Sequence, residues 1–231
     1  MLQSWPLLLF SLLSSSSVLA GVVVDLSYGQ SLSGSLNVGK SLPLQQQNYG
    51  ISFDYTGDMS RGLLRIGGEK YSLGAGLYTG RVSYSAGELK ATGGNFFLTA
   101  RAGWLAALSS KTWLVSVTPE IILLSKLAVA SYTETSIDGE RFQSASLSTY
   151  DGHGSLRLPF YLGKKMNWKL GNYDLYLGGT LSILMQSFSS KNDTVVATSP
   201  STGKVNSLSK SSSGSYQLQA TSFSLDFSFV Q

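Results

Sequence analysis

Asp151-Gly-His-Gly-Ser155 carries an acid, a base and a hydroxyl at alternate positions. These are the ingredients of a nucleophilic triad, in which an imidazole takes the hydroxyl proton and a carboxylate holds the ring. On a strand, period two predicts that Asp151, His153 and Ser155 share one face, with neighbours about 6.5–7 Å apart. A working hydrogen bond needs about 2.6–3.2 Å, so the three meet only by leaning together. Leu156, Leu158 and Phe160 follow on the opposite parity and claim the apolar face. His153 and Ser155 are therefore expected to point away from that face, whereas hydrolysis of a lipid would require them on it. No catalytic residue is expected.

The other chemistry-bearing residues form a dispersed set. Asp25, Asp54, Arg101, Glu120, His153, Arg157, Tyr176 and Asp226 each fall on the polar side of an alternating run. If those sides face a common interior, carboxylates and guanidiniums there must pair, because an unpaired ion in a dry space is costly. Glu120 with Arg101 or Arg157 is the expected pair, on neighbouring strands. The acidic residues are too scattered to define a metal site, and there is no Walker or dinucleotide pattern, so no cofactor is expected.

The elements that position these residues have β period. Val22, Val24, Leu26 and Tyr28 alternate with Asp25, Ser27 and Gly29; Phe96, Leu98, Ala100, Ala102 and Trp104 alternate with Phe97, Thr99, Arg101 and Gly103. Similar runs start near Tyr49, Tyr71, Trp113, Leu156 and Tyr173, and Phe223-x-Leu-x-Phe-x-Phe229 closes the chain. That predicts about eight strands. Pro119 and Pro159 sit inside two of them, which suits a barrel with a bulge better than the middle of an open sheet. The connectors read as alternately long and short. The longer ones include Gly39–Gln47 with Pro43, a Gly-rich stretch over 80–94, and loops over 131–142 and 187–214.

Composition supports the same class. Of 231 residues only 13% are charged while 42% are hydrophobic, and Ser, Thr and Gly supply the polar face. Residues 1–20, with the apolar core Leu7–Leu13 and Val18-Leu-Ala20, read as a signal peptide, although no Lys or Arg precedes that core. With no cysteine, disulfides and thiolate chemistry are excluded. The net charge of +4 is carried by single, scattered residues, with Lys164-Lys165 the one adjacent pair, so nucleic acid is not an expected partner. The predicted fold over residues 21–231 is all-β: a transmembrane antiparallel β-barrel of about eight strands with a polar, filled interior. The inverse arrangement, a soluble lipocalin-like barrel with an apolar cavity, remains the alternative.

Val117-Thr-Pro-Glu-Ile-Ile-Leu-Leu-Ser-Lys126, Leu156-Arg-Leu-Pro-Phe-Tyr-Leu-Gly-Lys164 and Tyr173-x-Leu-Tyr-Leu-Gly-Gly179 occur in that order. Over residues 95–188 they resemble the outer-membrane β-barrel domain called the porin family, alongside the outer-membrane protein A-like and X-like small barrels. The adjacent Gly178-Gly179 departs from that family's spaced glycines. The His153-x-Ser155 spacing also resembles that of outer-membrane lipid A deacylases, but their neighbouring residues are absent. The family resemblance implies export to the outer membrane, contact with its lipid and lipopolysaccharide, and handling by the barrel-insertion machinery, for which Phe223–Phe229 looks like the terminal signal. It implies no transported solute. The expected role is non-enzymatic, envelope-stabilising or surface-recognising through loops 131–142 and 187–214; the alternative is a narrow channel for small hydrophilic solutes or ions.

Overall fold

Side chains that alternate between apolar and small polar types suit a wall with two different faces, and every described segment of any length is a strand. The computed structural model describes residues 21–37, 41–59, 69–86, 89–108, 111–137, 140–152, 154–198, 203 and 205–231. Residues 1–20, expected as a signal peptide, and His153 lie outside the described residues. The strands are β1 (Gly21–Asn37), β2 (Ser41–Asp58), β3 (Glu69–Ala86), β4 (Leu89–Leu108), β5 (Trp113–Val117), β6 (Glu120–Ile137), β7 (Glu140–Gly152), β8 (Ser155–Leu170), β9 (Tyr173–Thr198) and β10 (Val205–Val230). All pairings are antiparallel, and β1 closes the ring on β10 from Val23↔Val230 to Asn37↔Gln217.

The ring holds ten strands rather than eight, because two long strands are each broken in the middle. Thr118-Pro119 separates β5 from β6, yet both pair with β4 and both with β8. Pro119 has no N–H to give the ladder, while its carbonyl still accepts from the Ala102 amide at 3.1 Å. The second break falls between β7 and β8, where Gly154 has φ +69°. That left-handed geometry favours glycine, and the Gly154 amide bonds the Ile122 carbonyl at 2.9 Å.

Leu26 and Tyr28 on β1, Phe53 on β2, Leu73 and Leu77 on β3, Leu98 on β4, Ile121 and Leu123 on β6, Phe160 and Leu162 on β8, Ile183 on β9 and Leu225 and Phe227 on β10 all lie exposed on the outer wall. They form a continuous apolar band, far beyond the few hundred Å² that a soluble monomer exposes. At the end of the barrel bearing Gly21 and Gln231, Trp113 and Lys164 are register partners, with the Lys164 ammonium 6.0 Å from the indole centre. An apolar band with aromatic and basic residues at its edge, on a closed ladder, is the exterior of a membrane-spanning barrel, not of a soluble lipocalin-like one.

Three expectations fail where alternation is a poor guide. The segments 131–142 and 187–214, expected as loops, are largely strand: β6–β7 pair out to Ile137↔Glu140 and β9–β10 out to Thr198↔Val205. The described parts of 39–47 and 80–94 are likewise strand, since β2 begins at Ser41, β3 runs to Ala86 and β4 begins at Leu89. Ser-, Gly- and Gln-rich sequence lacks an apolar stripe, but backbone pairing needs none. Beyond Gln217 the β1 ladder has ended and β10 pairs with β9 alone, so β6, β7, β9 and β10 rise as a sheet past the rest of the rim. Finally, strict alternation from Leu26 would put Leu36 on the outer face. A bulge between Ser31 and Ser33 reverses the parity and buries Leu36 inside.

The chain from Gly21 to Gln231 in mild detergent should run as a folded species on an unboiled SDS gel and shift when boiled; no shift would contradict a closed membrane barrel. Leu225→Arg, in the middle of the band, should cost about 2–4 kcal/mol, read from urea unfolding in lipid vesicles.

Candidate functional site

Alternation along β2, β4, β6 and β8 delivers one charged inward side chain from each strand to the same level. The register row runs Asp54↔Gly74, Gly74↔Arg101, Arg101↔Glu120 and Glu120↔Arg157 around the wall. Glu120 is wholly buried, and Arg157 Nη1 donates to its Oε1 at 2.9 Å. Arg101 Nε lies 3.2 Å from Asp54 Oδ1 and 3.8 Å from Glu120 Oε1, and Arg101 Nη2 lies 3.5 Å from Asp25 Oδ2. Ser52 donates to the same Asp25 oxygen at 3.1 Å. Each guanidinium thus lies against at least one carboxylate, the arrangement that makes buried charge tolerable. Gly74 is the residue that lets Arg101 reach Asp54 across β3. A Cβ at that position would collide with Asp54 Oδ1 and the Phe53 carbonyl.

Of the residues expected inside, Asp25, Asp54, Arg101, Glu120 and Arg157 meet in this cluster. Asp226 borders the same small cavity and is held by Ser224, whose hydroxyl donates at 3.0 Å. Tyr176 faces inward but belongs elsewhere: it packs with Val23, Leu105, Leu114 and Tyr161 near the chain termini and donates to the Lys111 carbonyl at 3.1 Å. Tyr78 was overlooked by the sequence reading. Its hydroxyl donates to Glu120 Oε1 at 2.8 Å, Arg157 lies over its ring at 4.4 Å, and it stacks on Phe97 at 4.8 Å. Its position on the parity opposite Leu73 and Leu77 was the available signal.

The interior is not polar throughout, contrary to expectation. Toward the hairpin end it is filled by an apolar cluster that includes Phe97, Ile122, Leu127, Phe188 and Leu218, and toward the termini by the Val23–Tyr176 group. The ionic layer lies between them. Its cavity is about 30 Å³, room for about one water. Within the apolar cluster the buried amides of Asn95 and Gln186 satisfy one another at 2.9 Å.

The Asp151–Ser155 constellation does not assemble. The break at Gly154 puts Asp151 and Ser155 on opposite faces. Asp151 is 43% exposed and paired with Lys126 on the outer wall at 3.5 Å. Ser155 is buried, and its oxygen accepts the Ser187 amide at 2.7 Å. Among the described residues no group of His, Cys, Asp and Glu side chains could hold a metal.

No known family matches this chain, and no curated protein does. Among solved structures it is similar to a major outer-membrane protein of Thermus thermophilus, at 12% identity over 91% of this chain and 99% of that one, TM-score 0.44. It is also similar to the β domain of the Bordetella autotransporter BrkA, at 10% identity over 91% and 99%, TM-score 0.34. An outer-membrane channel of Pseudomonas putida is similar at 12% identity over 94% and 96%, TM-score 0.30. These are outer-membrane β-barrels of several kinds, and they define no particular family. The resemblance to small porin-family barrels therefore goes no further than that general architecture, and the fold rests on the closed ladder and apolar exterior described above.

Glu120→Ala, which strands the Arg157 guanidinium while Arg101 keeps Asp54 and Asp25, should destabilise the barrel by about 3–5 kcal/mol. Tyr78→Phe should cost less, about 1.5–3 kcal/mol for one hydrogen bond to a charged group. Equal costs in vesicle unfolding would show that Glu120 does not organise the layer.

Proposed function

We propose that this chain is a small outer-membrane β-barrel with a sealed lumen, acting as a non-enzymatic envelope scaffold that presents the β6–β7 and β9–β10 ribbons outside the cell. The single observation that supports it is the interior: an ionic layer closed above and below by apolar side chains, with space for about one water. A channel for solutes or ions would need a wet path past Phe97, Phe188 and Leu218, all buried. An enzyme using Ser155 would need a free hydroxyl and a neighbouring acid, whereas Ser155 serves the Ser187 amide and Asp151 faces outward with Lys126.

The apolar band, the closed ladder and the terminal run Phe223–Phe229 favour the outer membrane, reached by export and the barrel-insertion machinery. In that orientation the chain termini lie on the periplasmic side and the four hairpins outside, where residues 131–142 and 187–214 would meet an extracellular ligand. The outer ribbons are built to hold shape. Lys191 pairs with Asp193 at 2.8 Å, Ser148 donates to the same carboxylate at 2.5 Å, and Tyr150 and Tyr216 pack edge to face at 5.3 Å. Burial would raise the Asp193 carboxyl, but the hydrogen bonds from Lys191 and Ser148 outweigh it and hold it below the usual carboxylate range.

Planar-bilayer recordings of the refolded barrel should be silent, and discrete, reproducible conductance steps would overturn the sealed-lumen reading. Replacing residues 193–210 with an Asn-Gly turn should keep the heat shift while removing any adhesion the intact protein confers. Adhesion surviving in the shortened protein would remove the recognition role from this ribbon.

A further inference from the structure

Three rows of outward residues cross β1 to β4 at the hairpin side of the apolar band. Tyr28, Tyr49, Thr79 and Phe96 are successive register partners in the first. Two residues further toward the hairpins come Gln30, Gln47, Arg81 and Gly94, and two further again Gln45, Ser83 and Thr92. The first row is aromatic but for Thr79, with the Tyr28 and Tyr49 rings 5.1 Å apart. The next two hold three amides, two hydroxyls and one guanidinium.

The wall is shaped here as well as polar. The β1–β2 ladder is interrupted between Gln30 and Ser35, and the Gln46 amide turns to the Ser31 hydroxyl at 2.7 Å. A depression of about 450 Å³ opens over the second and third rows, and another of about 500 Å³ adjoins it, sharing Gln45, Ser83 and Thr92. Gly94 leaves the place beside Arg81 vacant, since a Cβ there would meet nothing nearer than the Gly80 carbonyl at 3.7 Å. Lys126, on the outer face of β6, is neutralised by Asp151, but among the described residues no carboxylate pairs with Arg81.

We propose that this depression binds the headgroup of a phosphorylated glycolipid in the membrane leaflet on the hairpin side. The inference rests on the membrane-barrel reading above. Arg81 takes the phosphate, because a planar guanidinium matches two phosphate oxygens at once. Gln30, Gln45 and Gln47 each offer two donors and an acceptor, and with Thr92 they match the mixed hydrogen bonding of sugar hydroxyls. The Tyr28–Tyr49 pair lies beneath, where the headgroup gives way to acyl chain. A simple glycerophospholipid would use Arg81 and leave the three amides to water. A peptide partner fits less well, because the depression opens onto the lipid-facing wall directly beside the apolar band.

The test is native mass spectrometry of the mature barrel in lauryldimethylamine oxide with an acylated, bisphosphorylated glucosamine disaccharide as probe. The intact protein should retain one such lipid, and Arg81→Gln should weaken retention at least about tenfold, the loss expected for a charge-assisted contact. Thr92→Trp, at a residue that lines both depressions, fills them without touching the charge and should weaken it comparably. Both side chains face outward, so an unchanged heat shift on gels establishes that the variants are folded. Retention unaffected by either substitution overturns the site. Equal retention of the dephosphorylated disaccharide lipid or of phosphatidylglycerol overturns the assigned occupant. A barrel that shows the heat shift yet retains no lipid refutes this inference alone, whereas a chain soluble without detergent and showing no shift refutes the membrane reading beneath it.

Discussion

A backbone amide or carbonyl that faces hydrocarbon has no water to turn to, so each must find its partner within the protein. Closure of β1 on β10 meets that constraint for the whole wall, and the rest of the molecule follows from it. A closed antiparallel ladder imposes period two, period two separates an outer from an inner face, and a ring this narrow leaves an interior filled by its own side chains. Even the two breaks respect the constraint. At Pro119 and Gly154 the ladder is locally irregular, yet the carbonyls of Pro119 and Ile122 still receive backbone donors.

A narrow, dry interior then dictates how charge can be held. Glu120 is shared between Arg157 and Arg101, Tyr78 supplies a further donor, and Asp54 and Asp25 balance Arg101 from the other side. The apolar clusters above and below keep this layer from bulk water, which strengthens each contact and makes each partner harder to remove. The same packing fills the interior above and below the layer. In the proposed scaffold, electrostatic order and occlusion are therefore one feature of the barrel.

The exterior is correspondingly where this protein differs from a featureless plug. Its apolar band ends against aromatic and basic residues near the termini, against the glutamine and arginine rows on β1 to β3, and below the raised sheet of β6, β7, β9 and β10. Each border has its own chemistry, and none is needed to close the barrel. The proposed interactions with lipid headgroups and with molecules outside the cell fall at those borders.

The sequence alone determined that the chain is built of strands, that one face of each is apolar, and that Arg101, Glu120 and Arg157 lie on the other. Those properties are local, because alternation over a handful of residues is enough to reveal them. Only the tertiary structure decided which residues meet. A single bulged residue reverses every side chain beyond it, so Leu36 goes inward, and the break at Gly154 parts Asp151 from Ser155, with no warning in the alternation of either. The pairing of Arg101 with Asp54 depends on a glycine in the strand between them, and the ribbons expected as loops are held by backbone bonds that carry no side-chain signature. Register and curvature arise from hydrogen bonds between distant segments, and these are settled only when the ring closes.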